Sequence, residues 1–138
     1  MSREIKFRGK IVNPFGEKHG CFAYGFFIKI GNECFIKYAT YDEGFITEKV
    51  YEDTVGQYTG LKDKNGTEIY EDDIVKTKYG RLCKVIWFSS GSDQCFDLKP
   101  VNYFADENRC PDRYDLWDSK NLEVVGNIYD EETDNDKV

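Results

Sequence analysis

The chain has 138 residues, enough to bury a core without disulfide or metal staples; 33% of them are charged and the formal net charge is −7. That balance excludes bulk electrostatic attraction to nucleic-acid phosphates, and no stretch approaches the roughly 18–20 apolar residues that cross a bilayer. Aromatic residues make up 16% of the chain, which favours strands and large core side chains.

At the start, MSREIKFRGK has no apolar run of the kind that directs secretion, so a cytoplasmic protein is expected. Ile5 and Phe7 alternate with Lys6 and Arg8 in a period of two, the mark of a half-buried strand, and Gly9 permits a bend before Ile11 and Val12. Asn13-Pro14-Phe15-Gly16 closes this segment as a turn. FAYGFFIKI, from Phe22 to Ile30, and ECFIKY, from Glu33 to Tyr38, read as apolar strands that supply much of the core. Gly31-Asn32 between them is a two-residue linker suited to a type II′ or I′ hairpin. GFITEKVYED, from Gly44 to Asp53, reads as a further strand, with a short helix as the alternative because Ile46, Val50 and Tyr51 also fit helical spacing.

Asn65-Gly66 is a strong hairpin signal, since a type I′ turn needs φ > 0 at both central residues; Leu61 and Ile69 fall on the strands it joins. Glu71, Asp72 and Asp73 are expected to form an exposed, solvated turn rather than a cation site, because consecutive acids point in different directions. Ile74 to Lys78 and Arg81 to Phe88 read as a second hairpin around Tyr79-Gly80, Cys95 to Val101 as one more strand, and Leu122 to Tyr129 as the last. Asn102 to Ser119 lacks clean periodicity and reads as a long loop, a length often tied to function in compact domains. DEETDNDKV, from Asp130 to Val138, offers nothing to bury before its final Val and reads as a disordered acidic tail. The charge is uneven: residues 1–65 carry net +1 and residues 66–138 net −8.

The run TVGQYTGLKDKNG, from Thr54 to Gly66, is followed by IYEDDIV; REIKFRGK at Arg3 to Lys10 precedes it and VVGNIYD at Val124 to Asp130 closes the series. These three ordered blocks resemble the YopX-like family of small proteins encoded by bacteriophages and prophages, and they spread the resemblance over nearly the whole chain. It implies a phage origin and a mostly β fold, and no agreed biochemical activity. One position departs from the family, which usually has Gly where this chain has Asp72. Either Asp72 tolerates φ > 0 or the turn differs here. DIVKTKYGRLCKVIWF is laid out like the opening hairpin of SH3-like small barrels. The expected architecture is therefore mainly β: N-terminal antiparallel strands over about residues 1–53 plus an SH3-like small β-barrel over about 54–129. Together these make one domain over 1–129, followed by the tail at 130–138.

Chemistry has few footholds. The five cysteines, Cys21, Cys34, Cys83, Cys95 and Cys110, lack Cys-x-x-Cys spacing, so neither a disulfide framework nor a zinc ribbon is expected. They read as small, buried, reduced hydrophobes, with Cys110 beside Pro111 as the candidate exposed thiol. His19, the one histidine, sits in a charged turn and reads as a solvated surface residue. No Gly-x-Ser-x-Gly, His-Glu-x-x-His or phosphate-cradling loop occurs, so no enzyme, no cofactor and no metal site is expected.

Lys76, Lys78, Tyr79, Arg81, Lys84 and Trp87 form a basic and aromatic hairpin, the candidate contact for nucleic acid or another partner. Arg3, Lys6, Arg8 and Lys10 make a second basic patch. The expected function is a phage accessory role as a noncatalytic protein-interaction or self-assembling module, with a host or phage protein or a second copy as partner. A nucleic-acid-binding small β-barrel is the alternative. A charge mimic built on the acidic half is a sharper variant, which deletion of Asp130 to Val138 would test.

Overall fold

The computed structural model describes residues 4–12, 21–101 and 116–129. Among the described residues ten strands run in chain order: β1 Phe7–Lys10, β2 Phe22–Ile30, β3 Glu33–Thr40, β4 Gly44–Val50, β5 Gly56–Lys62, β6 Glu68–Tyr70, β7 Asp73–Lys76, β8 Leu82–Ser90, β9 Asp93–Pro100 and β10 Glu123–Asn127. They form one sheet of order β4-β3-β2-β1-β5-β6 and another of order β10-β7-β8-β9, so the fold is mainly β with antiparallel sheets. The chain divides into two compact units, Met1–Gly60 and Leu61–Val138, the division falling inside β5.

In the first unit, the β2–β3 hairpin is set by Gly31-Asn32. Ile30 pairs with Glu33, and Gly31 takes φ +60 while Asn32 keeps an ordinary negative φ, the pattern of a type II′ turn. β4 is a strand, and a short 3-10 helix, Glu52–Thr54, follows it. The Thr54 hydroxyl donates to the Tyr51 carbonyl at 2.7 Å and accepts the Lys10 N–H at 2.9 Å. A bridge between Ile11 and Val50 ties the end of the first strand to the end of β4. Gly9 does not bend the chain but lies within β1, where a Cβ would meet Val50 Cβ and Cγ2 at 2.9 Å. The core consists of Ile11, Ala23, Cys34, Ile36 and Val50, with Phe7, Phe27, Tyr38 and Val55 packed against it. Ile5, expected to be half-buried, is exposed.

In the second unit, two hairpins share one construction. Asp63 and Thr67 bracket a loop of Lys64, Asn65 and Gly66, and Thr77 and Arg81 bracket a loop of Lys78, Tyr79 and Gly80. In each, the glycine N–H donates to the carbonyl three residues back, and the glycine alone has positive φ, +83 at Gly66 and +84 at Gly80. The expected type I′ turn at Asn65-Gly66 is therefore replaced by a three-residue loop ending in a left-handed glycine. The physical reason is Asp63, whose Oδ1 accepts the N–H groups of Asn65 at 2.8 Å and Thr67 at 2.9 Å and so specifies the longer loop. Thr77 Oγ1 does the same less completely, accepting the Arg81 N–H at 3.1 Å.

The core of this unit is Ile69, Val75, Cys83, Val85, Leu98 and Leu122, with Leu61, Phe96 and Val124 packed against it. Fully burying a side chain such as Ile69 or Val75 contributes about 1.5–3 kcal/mol relative to exposure. The SH3-like barrel expected from about residue 54 is not closed among the described residues. Closure requires the outermost strands to pair with each other, whereas β10 and β9 lie at opposite ends of the second sheet. Leu116–Asn121, at the end of the expected long loop, is a 3-10 helix; residues 102–115 lie outside the described residues.

The acidic turn also differs from expectation. Asp73 is buried, its Oδ2 accepting the Tyr70 N–H at 2.8 Å, while Asp72 is half-buried and its Oδ2 accepts the Tyr129 hydroxyl at 2.8 Å. The carboxylates thus terminate backbone and side-chain donors instead of facing water. Asp72 takes φ +73, so the residue that replaces the family's glycine adopts the left-handed conformation itself.

Candidate functional site

Side chains alternate between the two faces of a strand, so register assigns every residue of β1–β4 to a face. Ala23, Cys34, Ile36 and Val50 mark the face turned to the core. Phe27 pairs with Ile36, and Cys34 with Val50, which places them on that same face. The opposite face of β2 then carries Phe22, Tyr24, Phe26, Ile28 and Ile30. Across from these, Phe26 pairs with Lys37 and Ile28 with Phe35. One strand further out, Phe35 pairs with Lys49, Lys37 with Thr47 and Ala39 with Phe45.

This outer face is strongly apolar and open. Tyr24 is 46% exposed, Phe26 63%, Ile30 66% and Phe45 65%. Four large apolar side chains on one contiguous face are more than the isolated surface hydrophobics any protein carries, and such patches mark interaction sites. Close approach of β2 to β3 holds the platform together. A Cβ on Gly25 would lie 2.2 Å from the Lys37 carbonyl oxygen, so no larger residue fits there.

Cations are interleaved with the rings. Lys37 Nζ stands 5.0 Å from the Phe45 centroid, on the diagonal between neighbouring strands, and the Arg8 guanidinium and Lys10 ammonium stand 4.5 Å and 5.5 Å from Phe22. Phe22 and Tyr24 are themselves 6.1 Å apart. Lys49 reaches Glu33 at 3.6 Å, an exposed ion pair that exchanges readily with solvent. On the far side of the sheet, Lys29 donates to Glu52 at 2.6 Å; that hydrogen bond and the carboxylate charge raise the Lys29 ammonium above its ordinary range.

The hairpin singled out from the sequence is distributed differently. Lys76 pairs with Leu82, and Lys84 with both Ile74 and Lys99, so Lys76, Lys84 and Lys99 share the face of the second sheet that looks away from its core. Lys78, Tyr79 and Arg81 are exposed at the turn, with Lys78 Nζ 5.2 Å from the Tyr79 centroid. Trp87 does not join them. It alternates with Cys83 and Val85 on the core-facing side and packs edge-on against Phe96, centroids 4.9 Å apart. Of the second basic patch, Arg8 and Lys10 belong to the aromatic face of the first unit, Lys6 stands 5.5 Å from the Tyr58 ring, and Arg3 is outside the described residues.

Among the described residues no group of three or more His, Cys, Asp or Glu is placed to hold a metal ion. Cys34 and Cys83 are buried as expected, whereas Cys21 and Cys95 are exposed; His19, Cys110 and Asp130 to Val138 lie outside the described residues. No helix among the described residues is long and apolar enough to cross a membrane.

The aromatic face is hard to foresee because FAYGFFIKI is apolar on both of its faces, while only one of them meets the core. The available signal was that double-sided pattern in an antiparallel sheet, where one side ordinarily meets water.

A family model described as YopX protein matches residues 16–133. Among solved structures, protein EF1440 from Enterococcus faecalis is similar at 19% identity, over 95% of this chain and 97% of that one, with a TM-score of 0.46. No curated protein matches the chain.

Proposed function

The chain belongs to the YopX family, and on that footing we propose that it is a phage- or prophage-encoded accessory protein of the bacterial cytoplasm that acts without catalysis, as an interaction module. Its working surface is the outer face of β2, β3 and β4. The observation that supports this reading is the exposure of Tyr24, Phe26, Ile30 and Phe45 on one sheet face, with Phe22, Ile28 and Phe35 half-buried among them. Aromatic anchors of this kind dominate the energetics of macromolecular contacts. β4 lies at the end of its sheet, an edge to which an added strand of a host protein, a phage protein or a second copy can pair. A second reading, contact with nucleic acid, is favoured by the cations that stand over the rings of this face.

The test compares the intact protein with a Phe26→Ser/Phe45→Ser variant, both immobilised and exposed to host lysate, and both measured by light scattering. Loss in the variant of a stoichiometric component, or of self-association, is the expected result. Identical behaviour of the two proteins would remove this face from the account.

A further inference from the structure

We infer that the outer face of β2–β4 binds single-stranded nucleic acid, its rings stacking bases and its cations meeting the phosphates; the inference rests on that face being the working surface. Charge complementarity selects the occupant. The outward positions of β1–β4 carry Lys10, Lys37 and Lys49 against the single carboxylate Glu33, with Arg8 buried beside Phe22 on the same face, in a chain whose net charge is −7. The face thus inverts the sign of the molecule that bears it, and an anion is the partner it fits.

Position matters as much as number. Lys37 is not at the rim but between Phe26 and Thr47 in the middle strand, leaning over Phe45. The desolvated centre of a protein–protein contact is depleted in lysine, and pairing this face with the same face of a second copy would set like cations against each other. A single strand has neither difficulty. Its bases offer π-faces to Phe26, Phe45 and Tyr24, and its phosphates stay hydrated beside the ammonium groups. A duplex, with its bases stacked inside, leaves these rings without a partner. The footprint is small, and acidic residues elsewhere repel the strand, so binding is modest in strength and sensitive to salt.

The test is fluorescence anisotropy of labelled oligothymidylate and oligouridylate, each about ten nucleotides long, titrated with the full chain, with the same sequence as a duplex for comparison. Binding of a single strand in preference to the duplex is expected. Phe45→Ala or Phe26→Ala weakens it about tenfold, the scale of one lost stacking contact. Lys37→Gln lowers the slope of log K against log salt by about 0.7, the value for one neutralised phosphate on a single strand. Substitution at Lys78 and Arg81 changes neither. Absence of oligonucleotide binding, or binding that follows Lys78 and Arg81 instead, overturns the inference. If oligonucleotides do not bind but concentration-dependent association disappears in Phe26→Ser/Phe45→Ser, a second copy is the occupant and the broader reading of the face survives. Failure of both measurements, with the intact protein and Phe26→Ser/Phe45→Ser also capturing the same lysate components, overturns the two together.

Discussion

Asp63 offers the most demanding quantitative check on how the second unit is held together. Its buried carboxylate accepts three backbone N–H groups: Asn65 and Thr67 at Oδ1 within the loop, and Val124 at Oδ2 with 2.8 Å, sixty-one residues on in sequence. One side chain therefore closes the β5–β6 turn and anchors the last strand. The Asn65 and Thr67 donors belong to exposed residues, where water takes over if the carboxylate is removed; each accounts for about 0.5–1 kcal/mol. The Val124 donor is half-buried and loses a charged acceptor, which costs about 1.5–3 kcal/mol. Asp63→Ala should accordingly destabilise the protein by about 3–4 kcal/mol. Asp63→Asn should cost about half that, because the amide keeps an oxygen for the loop but turns an NH₂ toward the Val124 N–H. Thr77 is the internal control: it occupies the same place in the neighbouring hairpin, yet Thr77→Val removes a neutral hydrogen bond of 3.1 Å and should cost about 1 kcal/mol. Urea unfolding followed by near- and far-ultraviolet circular dichroism measures all three; at about 2 kcal/mol/M, Asp63→Ala lowers the midpoint by about 1.5–2 M. If Asp63→Ala and Thr77→Val cost the same to within about 0.5 kcal/mol, the carboxylate does not carry the strand anchor assigned to it.

Asp72 sits at φ +73 and accepts the Tyr129 hydroxyl, so Asp72→Gly relieves backbone strain while losing a hydrogen bond, and the two effects, each about 1 kcal/mol, nearly cancel. In a Tyr129→Phe background the hydrogen bond is already gone, and Asp72→Gly should stabilise by about 1 kcal/mol; a double-mutant cycle with no coupling would refute this. In a Cys110→Ser background, a disulfide reagent should modify Cys21 and Cys95 promptly and Cys34 and Cys83 only in denaturant. Gly25→Ala should cost about 3 kcal/mol or more, because its Cβ falls on the Lys37 carbonyl; unfolding curves that overlay those of the parent protein would contradict the close approach of β2 and β3.

Turn chemistry made much of the fold legible. Gly31-Asn32 and Tyr79-Gly80 placed two hairpins because few residues tolerate their backbone, and of the two readings that Asp72 leaves open, a left-handed residue or a different turn, the structure contains the left-handed residue. Asn65-Gly66 placed the third hairpin but not its type, since the choice lay with Asp63, two residues upstream, whose side chain competes for the loop's N–H groups. Faces were harder to read. Trp87 looked like a companion of Lys84, and its real side is fixed only by alternation with Val85 and pairing with Phe96. Asp73 looked solvated because a run of three acids usually is, and its burial depends on the Tyr70 N–H it terminates. The aromatic face went unread because local pattern cannot distinguish a strand covered on both sides from one whose second side awaits a partner.

The most direct test of the central claim is amide chemical-shift mapping of the isotopically labelled protein during addition of oligothymidylate. The account predicts progressive shifts that cluster on Tyr24 to Ile30, Phe35 to Ala39 and Phe45 to Lys49, with the hairpin at Thr77 to Arg81 unmoved. Shifts confined to that hairpin, or none at saturating oligonucleotide, would contradict it.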